Sequence, residues 1–150
     1  MSKTDEYPLD RKSSLYLKMT ETKGRGVFCT ADIRKGEELE ATPTLLLNEK
    51  ETLLAQRTIL RDYIFTLGKI SARLQRLMGI EKIEDAACVI MGVATFCNHD
   101  ENPNAEIVWE ERDGTVYHVL RATRSIPKHT EICTTYGEGW FDAKRRQNVA

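Results

Sequence analysis

Nine residues, Phe96-Cys97-Asn98-His99-Asp100-Glu101-Asn102-Pro103-Asn104, constrain this chain more than any other stretch. They follow the apolar run Ala86 to Ala94 almost directly, so a dense polar segment sits at the end of a buried one. Asn and Asp side chains bond nearby backbone and specify turns, while Pro103 drives Asn102 towards an extended conformation and ends any preceding helix. Turn chemistry alone makes the stretch a surface loop. Its position after a buried run asks for a further reason, and the rest of the chain supplies one.

A length of 150 residues suits one domain with its own core. The formal net charge of -1 removes the broad attraction of a dedicated nucleic-acid binder, so no direct nucleic-acid partner is expected. Cys29, Cys88, Cys97 and Cys133 are scattered without a CxxC pair, which disfavours a zinc site and a secreted disulfide framework and fits reduced thiols. Cys97 and His99 are spaced like metal ligands, but no second pair closes a tetrahedron, so no metal is expected. There is no apolar signal region at Met1 to Glu6 and no run of membrane-spanning length. A cytoplasmic protein is expected, or a nuclear one in a eukaryote.

Residues 1–13 are polar and read as a flexible leader, and 142–150 as a polar tail. Leu15, Leu17 and Met19 alternate as in a half-buried strand. Gly24 and Gly26 then flank Arg25, where a backbone can take a positive φ or be approached closely, before Val27-Phe28-Cys29 resumes the strand pattern. A partial repeat links Asp32 to Leu39 with Ser125 to Ile132, each copy reading as strand end, tight turn, strand start. Gly36 and His129 occupy equivalent places, and histidine tolerates the left-handed region better than most residues, so His129 is read as a turn residue. Thr44 to Leu47 is a short strand. Asn48 with Glu51 makes a capping box for a helix to about Gln56. Asp62 to Thr66 is β-prone. Ile70, Leu74, Leu77 and Met78 recur at helical spacing, and so do Ile83, Ala87, Ile90 and Ala94, which predicts a further helix over the run from Ile83 to Phe96. Two strands, Ala105 to Glu110 and Thr115 to Arg121, join around Asp113-Gly114. His118 lies mid-strand with no nucleophile or acid spaced to use it, and is read as structural.

The ordered set Gly24-Arg25-Gly26-Val27-Phe28, Asn98-His99-(four residues)-Pro103-Asn104 and Glu131-Ile132-(three residues)-Tyr136-Gly137 resembles the SET-domain family of lysine methyltransferases. The doubled turn supports the same resemblance. It implies a mainly β fold with short helices, several small sheets around a knot-like C-terminal substructure, spanning 14–141 with a variable insert at 68–86. It implies S-adenosylmethionine as cofactor and a protein or peptide lysine as substrate, in a basic, histone-like protein. Tyr136 takes the catalytic place. The cofactor falls to Lys23, Gly24, Arg25 and Gly26 through the main chain, to Asn98 at the amino or carboxylate end, to His99 by its backbone near the adenine, and to Tyr136 and Trp140. Tyr63, Ile107, Tyr117 and Phe141 are implied as walls of the lysine channel. Trp140 and Phe141 close over the adenine or the channel, or cap the core. Asp100, Glu101, Glu106, Glu110 and Glu111 read as an acidic cluster near the site that would attract a basic segment.

The sequence departs from the family pattern at Asp100-Glu101, where serine and often cysteine follow the asparagine-histidine pair. It also shows no cysteine-rich flanking segment. Small stand-alone family members share that economy, and some pair as homodimers. The alternative is a SET-fold interaction module that no longer transfers methyl groups.

Overall fold

The two copies of the repeated turn meet in space and close the fold. In the computed structural model, which describes residues 10–67, 70–112 and 114–135, Gly36 has φ +84° and His129 φ +63°. Among the described residues His129 is the one non-glycine with positive φ. Ile33 and Ile126 exchange backbone hydrogen bonds of 2.8 and 2.9 Å. The Gly36 N–H then donates to Ala122 O at 2.8 Å and the His129 N–H to Cys29 O at 2.6 Å. Each left-handed residue thus ties its turn to a strand of the other half.

The conformation at position 129 costs an ordinary L-residue about 1–2 kcal/mol, partly returned by the lower backbone entropy loss relative to glycine. His129→Gly is therefore expected to leave stability unchanged or raise it by up to about 1 kcal/mol, and His129→Val to lower it by about 1–2 kcal/mol. Denaturant midpoints of the two variants check both signs.

The strands in order are β1 Asp10–Arg11, β2 Leu15–Met19, β3 Arg25–Cys29, β4 Glu38–Leu47, β5 Ile64–Thr66, β6 Ala87–Ile90, β7 Asn98–His99, β8 Ala105–Arg112, β9 Thr115–Ala122 and β10 Glu131–Thr134. Helix α1 spans Glu49–Ala55 and α2 Ala72–Met78. One sheet runs β5-β6-β4-β9-β8 with β1 added to β4, and the other runs β2-β3-β10-β7. The mainly β architecture with short helices agrees with the expectation. So does the capping box: Asn48 Oδ1 accepts from the Glu51 N–H at 3.0 Å, and Glu51 accepts in return from the Asn48 N–H at 2.9 Å. Gly114 at φ +79° shapes the β8–β9 hairpin, whose register pairs Arg112 with Thr115.

The expected helix over Ile83 to Phe96 is not formed. Its place is taken by a 3₁₀ turn at Ile83–Asp85, strand β6, and a second 3₁₀ turn at Val93–Phe96. Short apolar runs buried on both faces carry no usable periodicity, and β6 is such a run, lying between β4 and β5 with Ala87, Cys88 and Ile90 buried. Val89 and Ile90 are β-branched and favour the pleated strand. In α2, Ile70 just before it and Leu74 are buried as the spacing predicts, but Leu77 is 71% exposed and points away from the core. Strand β2 is also less buried than its alternation suggests, with Met19 at 67% exposure; Tyr16 stacks instead across to Phe28 at 5.8 Å between ring centres. The strand expected at Thr44 to Leu47 extends back to Glu38, and β1, inside the stretch read as leader, pairs with Ala41 and Glu40.

Two cores result. The first joins Val27, Leu39, Ile90, Leu120 and Ile132 under both sheets, and the second gathers Leu67, Ile70, Leu74, Ile80 and Val116 beneath α2.

Candidate functional site

The polar stretch after the second 3₁₀ turn is built into the protein rather than looped over its surface. Strand β7 runs parallel to β10, with Asn98 opposite Cys133 and His99 opposite Thr134. The Asp100 N–H continues the pairing to Thr134 O at 3.0 Å. Asn104, 7% exposed, donates from Nδ2 to Glu131 O at 2.8 Å and accepts on Oδ1 from the Cys133 N–H at 2.9 Å. One side-chain amide thus supplies the donor and acceptor that a neighbouring strand would give. Asp100 Oδ1 accepts from the Asn102 N–H at 2.8 Å, so the aspartate makes the local turn bond, and Arg124 braces Asn102 at its side-chain oxygen and carbonyl, 3.0 and 3.1 Å away.

The glycine loop closes onto this segment. Thr20 Oγ1 donates to Gly24 O at 2.8 Å and accepts from the Lys23 N–H at 2.9 Å, which folds the loop so that Gly24 takes φ +73°. Lys23 Nζ then reaches His99 O at 3.1 Å. Asn98 Nδ2 donates to Glu131 Oε1 at 2.7 Å and to Arg25 O at 3.2 Å. The Arg25 guanidinium lies over the Phe96 ring, 4.8 Å from its centre. Gly26 leaves the space this junction needs, since a Cβ there would stand 2.5 Å from Glu131 Oε1 and 3.0 Å from Asn98 Nδ2.

Lys23, Gly24, Arg25, Gly26, Asn98 and His99 therefore come together as expected from the sequence. With Nδ2 of Asn98 donating to both Arg25 O and Glu131 Oε1, its Oδ1 remains available as an acceptor. Cys97 and Cys133 lie beneath. Burial, with a smaller push from the Glu131 carboxylate, raises the Cys133 thiol to about 11, and burial also raises Cys97. Both stay neutral thiols near pH 7 and are no nucleophiles.

Other expected residues lie elsewhere. Tyr63 is half-buried after the 3₁₀ turn Ile59–Asp62. Ile107 faces Leu120 across the hairpin and packs on the core containing Ala94 and Cys97. Tyr117 is 2% exposed, with the Arg112 guanidinium 5.0 Å from its ring centre. Tyr136, Trp140 and Phe141 lie outside the described residues. The five acids do not form one cluster. Glu111 accepts from Ser71 at the start of α2 and Glu110 pairs with Arg112, both about 17–20 Å along β8 from Ala105 at the usual rise per residue.

Glu131 and Asn104 belong to the site more intimately than the sequence suggested. Both sit inside the motifs, but their targets, the Asn98 amide and the backbone of β10, appear only once the strands are paired. A third group was missed altogether. Glu40, 2% exposed, accepts from the N–H groups of Val93 at 3.0 Å and Ala94 at 3.3 Å, and its Oε1 lies 2.9 Å from His118 Nε2. His118 Nδ1 meets Thr42 Oγ1 at 2.9 Å. The expected structural role of His118 holds, and its partners explain how it is buried.

Similarity to known proteins accords with this geometry. The SET domain family model matches residues 24–137. A Schizosaccharomyces pombe relative, the histone-lysine N-methyltransferase specific for H3 lysine-37, is 27% identical over 133 residues, covering 87% of this chain and 79% of its own. The fold is similar to a Plasmodium falciparum crystal structure assigned as a histone methyltransferase, with a TM-score of 0.60 and 21% identity over 87% of this chain and 98% of that one. It is also similar to the Neurospora SET domain protein DIM-5, a histone lysine methyltransferase, with a TM-score of 0.65 and 21% identity over 85% of this chain and 54% of that one. The convergence of the glycine loop, the asparagine-histidine strand and β10, in a chain whose greater part matches the family model, establishes that it belongs to the SET-domain family.

Proposed function

We propose that this protein is an S-adenosylmethionine-dependent methyltransferase acting on the lysine ε-amine of a protein substrate. The observation that carries the reading is the junction at Asn98, where one amide ties the glycine loop to β10 and keeps its oxygen as an acceptor. The lining suits the amino-acid end of the cofactor. Asn98 Oδ1 would accept from its ammonium group, with the Glu131 carboxylate behind, and the Lys23 and Arg25 side chains would face its carboxylate. Outside its chain neighbours, no heavy atom stands within 4 Å of where a Gly24 Cβ would be, so the φ +73° turn leaves room for a ligand to approach the loop.

When bound, the sulfonium supplies an activated methyl group. What the protein must add is collinear placement of the lysine nitrogen and a preference for the neutral amine. By its place in the Glu131-Ile132-(three residues)-Tyr136 motif, Tyr136 is the residue we assign to orient that amine. The named H3 lysine-37 activity of the fission-yeast relative supports a histone-like, lysine-rich substrate.

Tyr136→Phe tests the assignment. Transfer of labelled methyl groups to core histones is expected to fall about 100-fold or more, the size of a lost positioning contact, while affinity for S-adenosylhomocysteine stays within about twofold. Wild-type transfer rates in the variant would remove Tyr136 from the reaction.

A further inference from the structure

The site's least explained feature is a group of three buried polar side chains bonded to the turn that precedes it. Glu40, Thr42 and His118 are 2%, 6% and 0% exposed. Burying a carboxylate in an apolar core is costly unless its oxygens are fully bonded. Here they are: Glu40 receives Val93 N–H, Ala94 N–H and His118 Nε2, and the carboxylate, an acceptor only, fixes the hydrogen on that ring nitrogen. Gly92 makes room for it, because a Cβ at that position would collide with the Glu40 carboxylate itself.

The segment held in this way leads straight to the cofactor-side asparagine. Val93 and Ala94 open the 3₁₀ turn Val93–Phe96; the Cys97 N–H closes it onto Ala94 O at 3.2 Å, and Asn98 follows. Ala94 and Cys97 are each 1% exposed, and Thr95 Oγ1 is bonded to Ile90 O at 2.7 Å. No solvent-exposed hinge separates the carboxylate's grip from Asn98. Fewer groups would suffice to satisfy a core strand. The arrangement makes sense as a way of fixing where a short turn begins, and so where the residue at its end points.

We propose that Glu40, oriented by His118 and Thr42, is a positioning residue for Asn98: by holding the start of the turn it sets the amide that receives the cofactor. The cofactor part of this inference rests on the methyltransferase reading; the positioning part does not. Glu40 is 2% exposed and bonded to Val93, Ala94 and His118, so its effect is transmitted through the turn.

Glu40→Gln is the test, because it keeps the side chain's length and presents a donor amide where three donors already point. Two quantities are read on the whole chain. The first is the Asn98 side-chain NH2 resonance and the hydrogen exchange of the Val93 and Ala94 amides in the ligand-free protein. The second is affinity for S-adenosylhomocysteine. The expected result is a displaced Asn98 resonance, faster exchange at both amides, and binding weakened about tenfold or more, as for loss of a hydrogen bond to a charged group. Leu74→Ala, destabilised in the second core, is the control for instability alone and should leave both quantities as in the wild type. Should Glu40→Gln fail to fold, Thr42→Val, which removes only the hydroxyl on His118, should shift the same signals in the same direction by less.

An unmoved Asn98 resonance in a folded Glu40→Gln or Thr42→Val protein overturns the proposal, as does an equal shift in Leu74→Ala. If the wild type does not bind S-adenosylhomocysteine, a shifted Asn98 resonance in Glu40→Gln still upholds the positioning role while the methyltransferase reading fails.

Discussion

Glu40→Ala is expected to lower the free energy of unfolding by about 3–5 kcal/mol, the cost of removing one partner from a buried, hydrogen-bonded network around a carboxylate. It strips the Val93 and Ala94 N–H groups and His118 Nε2 of their acceptor in a buried region. Gly92→Ala should cost a comparable amount by a different route, since its methyl would strike a carboxylate that is held on three sides and has nowhere to go. Urea or thermal unfolding measures both; a loss below about 1 kcal/mol in either variant would contradict this account of the core.

The same pair predicts the acid limb of stability. Burial is the largest single influence on Glu40 and opposes its ionisation, but the bonds from His118, Val93 and Ala94 together outweigh it and hold the carboxyl below its ordinary value of 4.5. A carboxyl with a depressed folded pKa stabilises the fold above its unfolded pKa and loses that contribution as pH falls through the folded one. Stability should therefore decline below about pH 4.5, and Glu40→Gln should show a shallower decline there.

Gly26→Ala is expected to weaken binding of S-adenosylhomocysteine by about 10- to 100-fold with little loss of stability, the range for one to two charge-assisted hydrogen bonds. The new Cβ would meet the end of the Glu131 side chain, which can swing aside, unlike Glu40 beside Gly92. The fold survives that movement, but the Asn98–Glu131 bond of 2.7 Å does not. Equilibrium dialysis with labelled ligand gives the affinity. Two glycine-to-alanine substitutions thus separate the core from the site: one should lose stability and the other should lose binding.

The contrast also shows what the sequence made legible. The capping box at Asn48, the left-handed turn at His129 and the β8–β9 hairpin with its positive φ at Gly114 are local devices, each encoded within a few residues, and each formed as expected. The gathering of the glycine loop with Asn98 and His99 was legible through motif order. Strand β6 was not, because a run buried on both faces has no polar side to reveal its period, and helical spacing arises in it by chance. Glu40 was invisible for a related reason. A glutamate in a strand reads as solvent-facing, and only the meeting of β4, β9 and the turn after β6, which brings in bonding partners 53 to 78 positions away in sequence, gives it company. The acidic residues failed in the opposite direction, since closeness in sequence along β8 placed Glu110 and Glu111 at the far end of an extended strand, engaged with Arg112 and Ser71.

The most direct test of the site is calorimetric titration of the whole chain with S-adenosylhomocysteine, beside Asn98→Ala. The account predicts saturable binding by the wild type and an affinity about 10- to 100-fold lower in the variant, which loses the acceptor for the ligand's ammonium and the tie between the glycine loop and β10. Absence of binding by the wild type, or equal affinity in Asn98→Ala, would contradict it.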